Sequence, residues 1–559
     1  MARKTMGVRQ VLVIGLFFLT LIGGCLSAEE EEIPNAKLDK ISLGGVIKVR
    51  ADSQEVLPFL SARILNDGLR MEIDETGIRF DNLSRFSSEL ALGSWKSPEN
   101  VFVVDSYESA LGMTTASKLL DAPILLYGPT TDAVLDMLNP GEIVIVGDLN
   151  IVGDVVLKSN EIHEYTINLL KSSNVLDGYV TVINVDRDAD NRQGLAEFGS
   201  MLCACRNGIL ITINSSFSNI DIKEKIMGAV DIFNESGINM SYLCLVGGFD
   251  VMPSYKKEIE ISMTADSTYI AECFTDNPYC CYGAGTKYET GCCGGEEKVP
   301  LPDFACGRIP GVNLSGLISL FEKYRSCHFC LEKWMNKALI YNFDEVNDAA
   351  PGVEYSIVKT TFNLTVGGFS VNVKPSPLSR VEDVQGYIEE SNFIYIVFDK
   401  KHKDSGDDTY SAIDLNTLAL FPATIFDTTG FSGLDGEVSV NDGGASHQSE
   451  NIPRKIFKAG AVAYIAPTGD AIYTPCEVGL PFVTRDDTVT CLARLFFEAL
   501  IKNKTAGNAL MEAKKEFMKV TDMDIDPGSS ILTVCEFTLY GDPAFNPYEP
   551  CNEGTNYGS

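Results

Sequence analysis

Histidine is scarce in this chain: His163, His328, His402 and His447 are the only four. Chemistry that needs an imidazole therefore has a short list of suspects. Net positive charge is lacking as well. Forty-five Lys and Arg stand against 77 Asp and Glu, a formal net charge of −32. So acidic a chain repels phosphate backbones, and nucleic acid is not an expected partner. Beyond residue 28 no apolar run is long enough to cross a bilayer, which excludes a polytopic membrane protein. Gly247-Gly248 and Gly443-Gly444 lack a following Lys-Ser or Lys-Thr, so no phosphate-binding loop is expected. Finally, no cysteine occurs between 331 and 475.

What is present is a balanced globular composition, 45% hydrophobic and 22% charged. A length of 559 residues exceeds one ordinary core and predicts about three domains. At the N-terminus Arg3, Lys4 and Arg9 precede an apolar run from Val11 to Ile22. Such a run is too short to span a bilayer comfortably and suits the core of a signal peptide. Gly23-Gly24-Cys25 after it resembles a lipoprotein cleavage box. On that reading residues 1–24 are removed and Cys25, lipidated, anchors the mature chain to a membrane outside the cytoplasm, at the cell surface.

Cysteine usage fits that compartment. Of 16 cysteines, Cys273, Cys280, Cys281, Cys292, Cys293, Cys306, Cys327 and Cys330 fall in one segment rich in Gly and Tyr. In an exported chain this reads first as disulfides stapling a weakly apolar insertion. Zinc is the rival, since Cys327-His328-Phe329-Cys330 has CxxC spacing, but a tetrahedral site needs a second pair. Pairing does not follow from the sequence.

From about residue 100 apolar strands ending in Gly or Asp alternate with helical segments. The first series is 101–105, 123–128, 142–147, 179–186, 208–214 and 242–248; the second is 338–343, 393–399, 423–427 and 461–466. Unbroken Val/Ile/Leu runs suit strands covered on both faces, so the fold class is α/β, multidomain, with parallel sheets flanked by helices. Ligand sites in such sheets lie at the carboxyl ends of the strands. Four parts are expected: the leader at 1–24, a β-rich segment with an α/β unit at 29–160, an α/β subdomain at 161–335 carrying the insertion 273–330, and a second subdomain at 336–550.

Asp186-Arg187-Asp188-Ala189-Asp190 sets carboxylates at alternate positions after a strand. Asp186, Asp188 and Asp190 are therefore a candidate Ca2+ loop, although the glycine and distal glutamate of the full pattern are missing and an acidic surface turn is the preferred reading. No other cofactor is expected.

Two resemblances add to this. The segment beginning DSYESALGMTTASKLLDAPILLYG resembles the units of type-2 cell-wall-binding repeats. More extensive is the order YLCLVGGFDVMPSY (242–255), PDFACGRIPG (302–311), KAGAVAYIAPTGDA (458–471) and LYGDPAFNPYEP (539–550), which resembles the gingipain-like cysteine peptidases from about residue 238 to 550. That resemblance implies a caspase-like fold. It also implies a catalytic His after one central strand and a catalytic Cys after the next, where a thiolate attacks the carbonyl and an imidazole handles the proton. Both positions depart from the pattern. The first strand leads into Phe398-Asp399-Lys400 in place of Gly-His-Gly, and the second into Thr428-Thr429-Gly430, with Thr429 where the Cys is expected. A displaced dyad from His402 and Cys476 is the fallback, with His447 a further candidate; Cys476 could equally pair with Cys491 or Cys535. The expectation is thus a pseudopeptidase that binds a peptide, a protein ligand or an envelope component, the alternative being an active cysteine endopeptidase.

Overall fold

The structure, a computed structural model, describes residues 45–78, 80–186, 194–264, 267–283, 286–290, 295–325, 337–342, 351–375, 386–397, 420, 423–428, 452–468, 487–521 and 527–547. Two compact units result: residues up to 159 apart from 114–116, and those three together with everything from 160 on.

The first unit holds a parallel pair, β1 (Val46–Val49) and β2 (Arg70–Ile73), linked by helix α1 (Leu57–Asn66). After α2 (Leu83–Ser94) come β3 (Asn100–Val104), α3 (Tyr107–Leu120), β4 (Ile124–Leu126), α4 (Thr131–Leu138), β5 (Glu142–Val146) and β6 (Val155–Leu157). The four later strands form a wholly parallel sheet in the order β4-β3-β5-β6. Val101, Val103 and Leu125 pack there with Leu135 and Leu138 of α4. Asn82 and Ser106 start α2 and α3 by accepting the Arg85 and Ser109 amides, caps worth about 1 kcal/mol each. Past β2, Ile78 makes a parallel bridge to Val49.

The second unit begins with α5 (Ile162–Ser172), β7 (Asp177–Asn184), α6 (Leu195–Cys205), β8 (Ile209–Ile213), α7 (Asn219–Ser236) and β9 (Asn239–Val246). Two antiparallel hairpins follow, β10 (Tyr255–Thr264) with β11 (Ser267–Thr275) and β12 (Thr286–Thr290) with β13 (Gly295–Val299). Then come β14 (Ala305–Ile309), α8 (Leu314–Arg325), β15 (Lys337–Asn342), α9 (Pro351–Val366), β16 (Ser370–Pro375), β17 (Phe393–Val397), β18 (Thr424–Asp427), α10 (Ile452–Ala459) and β19 (Ala463–Pro467). The chain closes with α11 (Thr488–Leu500), α12 (Ala506–Val520), α13 (Pro527–Glu536) and β20 (Phe537–Gly541).

One ten-stranded sheet unites this unit, in the order β16-β15-β17-β18-β19-β20-β14-β9-β7-β8. Every neighbouring pair is parallel except β19 with β20. The sheet is therefore two parallel blocks of opposite direction meeting at one antiparallel seam. Strands β17 to β20 are buried at every residue, the pattern of a sheet covered on both faces. At the centre Phe426 is ringed by Phe496, Phe537, Phe497 and Tyr395, with centroid separations of 5.3, 5.4, 6.2 and 6.3 Å.

The fold class read from the sequence is the fold class seen. The Cys-rich insertion departs from expectation. Within 273–330 the described residues form an ordered hairpin of five paired positions, β12 with β13, and just before it β10 pairs with β11 at nine positions, with Ile259, Ile261, Ala271 and Cys273 in the core. No disulfide joins the described cysteines, which are all thiols: Cys203, Cys205, Cys244, Cys273, Cys280, Cys281, Cys306, Cys491 and Cys535. Cys292, Cys293, Cys327 and Cys330, including the CxxC, lie outside the described residues.

Candidate functional site

The rim that the sequence points to is the carboxyl end of β17, β18 and β19. These strands are neighbours in parallel register, Phe393 opposite Thr424 and Thr424 opposite Ala463. β17 ends at Val397 and β18 at Asp427, and both residues are fully buried. Thr428, the first residue past β18, gives both its amide and its hydroxyl proton to the Ile396 carbonyl, at 3.1 and 3.0 Å. The hydroxyl is thereby committed as a donor to the neighbouring strand. Alternation puts Phe426 on the aromatic core face and Asp427 on the other. There Asp427 Oδ2 accepts the Tyr464 phenol at 2.6 Å. Ile425 is the direct partner of Tyr464, so this is the diagonal contact of adjacent strands.

Past β19, Thr468 closes the same rim. Its hydroxyl donates to the Phe274 carbonyl at 2.6 Å and accepts the Phe274 amide at 3.2 Å, while its own amide donates to the Glu536 carbonyl at 3.0 Å. These three polar residues hold strand ends in place and offer a substrate no activated nucleophile.

Asp399, His402, Thr429, His447 and Cys476 all lie outside the described residues, as does Cys25. What the structure does place is the strand ends that precede five of them: β17 before Asp399 and His402, β18 before Thr429 and His447, and β19 before Cys476. Four of the described thiols are poor nucleophiles. Burial pushes the Cys203 thiol up to about 12, and Cys244, Cys273 and Cys306 are also raised. A reactive cysteine needs the opposite shift.

Of the candidate Ca2+ ligands only Asp186 is described; Asp188 and Asp190 lie outside. Asp186 Oδ2 accepts the amide and hydroxyl of Ser215, at 3.2 and 3.4 Å, and so ties the end of β7 to the turn after β8. Among the described residues no group of three His, Cys, Asp or Glu could hold a metal ion. His163, one of the four histidines, sits on α5 with its ring nitrogen 2.8 Å from the Leu210 carbonyl of β8, and burial lowers its pKa.

The four sequence stretches that carry the peptidase resemblance meet in space. They supply β9, β14, β20 and β19, consecutive strands across the seam. Their shared residues are used for packing. Gly307 lets β14 pass the Gly541 carbonyl and Pro543, and Gly541 itself sits at φ 134°, which disfavours side chains. Arg308, wholly buried, forms a two-pronged pair with Asp276 at 2.9 and 2.6 Å and donates to the Gly247 and Met252 carbonyls. Asp542, equally buried, accepts Tyr179 at 2.9 Å and Arg206 at 2.7 and 2.6 Å. Sequence reasoning missed both ion pairs, because 32 and 336 residues separate their partners.

No family model matches the chain, and no curated protein matches it. Among solved structures, one titled "Structure of Protease" is 12% identical, with 66% of this chain and 78% of that chain covered at a TM-score of 0.44. The Saccharomyces cerevisiae separase–securin complex is also 12% identical, over 43% of this chain and only 14% of that chain, at TM-scores of 0.29 and 0.25 in two structures.

Proposed function

We propose that this chain is an exported, lipid-anchored surface protein of the gingipain-like, caspase-type cysteine peptidase group, one that has lost the catalytic couple and binds a peptide, protein or envelope component at its rim. One observation carries the reading. β17 and β18 are parallel neighbours in the middle of a sheet buried on both faces, and the chain leaves them toward Asp399 and Thr429, where the resemblance implies His and Cys. A threonine hydroxyl without a dedicated base is a far weaker nucleophile than a thiolate. An aspartate at its ordinary pKa is ionised at neutral pH and has no proton for the leaving amine. The buried commitments of Asp427 and Thr428 agree with strand ends kept for architecture. Ca2+ held by Asp186, Asp188 and Asp190 is part of the same proposal, as is anchoring through Cys25.

The test is turnover. The purified ectodomain, incubated with casein under mild reduction and with Ca2+, is expected to release no peptides. Release abolished by Cys476→Ala or His402→Ala would overturn the reading in favour of a displaced dyad.

A further inference from the structure

Two pairs of buried thiols stand outside the rim, on the hairpin β10–β11 and the turn after it. Cys273 lies on the inward face of β11, in line with Ala271 and opposite the Ile259 and Ile261 face of β10. Helix α13 covers that face. Its Gly528 passes so close to the Glu260 carbonyl that a Cβ would collide, and its Val534 carbonyl accepts Asn277 Nδ2 at 3.0 Å. Ile531, Val534 and Cys535 follow one helical stripe into the same apolar cluster as Cys273. The two thiols are neighbours in that cluster, and Cys535 together with burial raises Cys273.

The second pair is set by the Arg308–Asp276 ion pair. Cys306 and Arg308 are two apart on β14 and so share a face, while Asp276 and Cys280 are the two ends of one short helical turn, Asn277–Cys280. Joining Arg308 to Asp276 therefore brings Cys306 to Cys280. The Cys280 Sγ donates to the Asn277 carbonyl at 3.5 Å, and Cys280 together with burial raises the neighbouring Cys306 thiol. Between the pairs lies the buried Lys514 ammonium, donating to Asn277 Oδ1 at 2.7 Å beside a cavity of about 20 Å³, room for about one water.

We propose that Cys273 with Cys535, and Cys280 with Cys306, are disulfide-forming couples that tie β11 to helix α13 and the turn Asn277–Cys280 to strand β14 when the chain folds in an oxidising medium. In each couple one thiolate attacks a low-molecular-weight disulfide of the glutathione class and releases one thiol. The second thiolate then attacks the protein sulfur of the mixed disulfide and releases the other. Two cysteines are oxidised, one small disulfide is reduced, and the two protons pass to the departing thiolates or to water. Burial keeps these sulfurs from small reagents in the folded chain, so the exchange belongs to folding and the closed bonds are then shielded from reductant. The pairing is independent of whether the rim turns over peptides.

The full chain is produced in an oxidising periplasm and purified without reductant. It is then denatured with iodoacetamide, digested and mapped by mass spectrometry. Expected are two cross-linked peptide pairs, Cys273 to Cys535 and Cys280 to Cys306, that yield alkylatable thiols only after reduction. Immediate alkylation of all four, or bridges from them to Cys281 or Cys292, would overturn the assignment. In Cys535→Ser the Cys280–Cys306 link is expected to persist while Cys273 becomes alkylatable; a Cys273 still bridged elsewhere would count against it.

Discussion

Asp542→Ala is the sharpest perturbation of the seam. The carboxylate is fully buried and accepts from Arg206, from the Tyr179 phenol and from the Ala544 amide. Removing it leaves a guanidinium with only 2% of its side chain exposed facing no counter-charge. Breaking a buried pair from one side costs about 3–5 kcal/mol. At about 2 °C per kcal/mol for a unit of this size, the melting temperature falls by roughly 6–10 °C. Asp542→Asn, which keeps an acceptor but loses the charge, is expected to fall between the wild type and alanine. The double variant Asp542→Leu with Arg206→Met removes both charges and should recover most of the loss, because the penalty belongs to the orphaned partner. Differential scanning fluorimetry on these proteins, with Asp542→Leu and Arg206→Met also made singly, reads all of this. A loss below about 1 kcal/mol for Asp542→Ala, or a double variant as damaged as the two single changes combined, would refute the view that this motif is kept for packing.

Other expectations follow the same physics. Phe426→Ala, at the centre of four aromatic contacts, should cost about 3–5 kcal/mol, measured by urea denaturation. Lys323, desolvated on α8 and donating to the Gly460 carbonyl, has its pKa lowered to about 8 from 10.5. Between those values the unfolded chain binds more protons than the folded one, so stability rises with pH across that window. Urea midpoints at pH 7.5 and 9.5 should show a gain on the order of 1–2 kcal/mol that Lys323→Met abolishes.

Much of the sheet could be read from composition. The runs at 101–105, 142–147, 179–186, 242–248 and 461–466, and the described residues 393–397 of another, supply strands that are largely buried, which leaves an unbroken apolar signature. The hairpin β10–β11 hid for the opposite reason. KKEIEISM alternates charged and apolar residues as a half-buried strand should, but it lies outside the unbroken apolar runs and ahead of the cysteine-rich segment, and no strand was read there. Strand order was out of reach, since the seam joins β19 to a strand that lies after three intervening helices. At the rim the sequence offered one usable clue, a lone Asp ending the apolar run Ala423–Phe426. Its partner Tyr464 could be named only once β18 and β19 were known to be neighbours.

The claim that the sulfur–imidazole couple is gone is tested most directly by the pH dependence of alkylation. The second-order rate of iodoacetamide with Cys476 is followed from pH 5 to 10 in the mildly reduced full chain. A lone thiol gives a rate that climbs with pH toward a midpoint of about 8–9, and that is the result predicted here. A rate already at its plateau by about pH 6 and lost in His402→Ala or His447→Ala would reveal a thiolate–imidazolium pair and contradict the account.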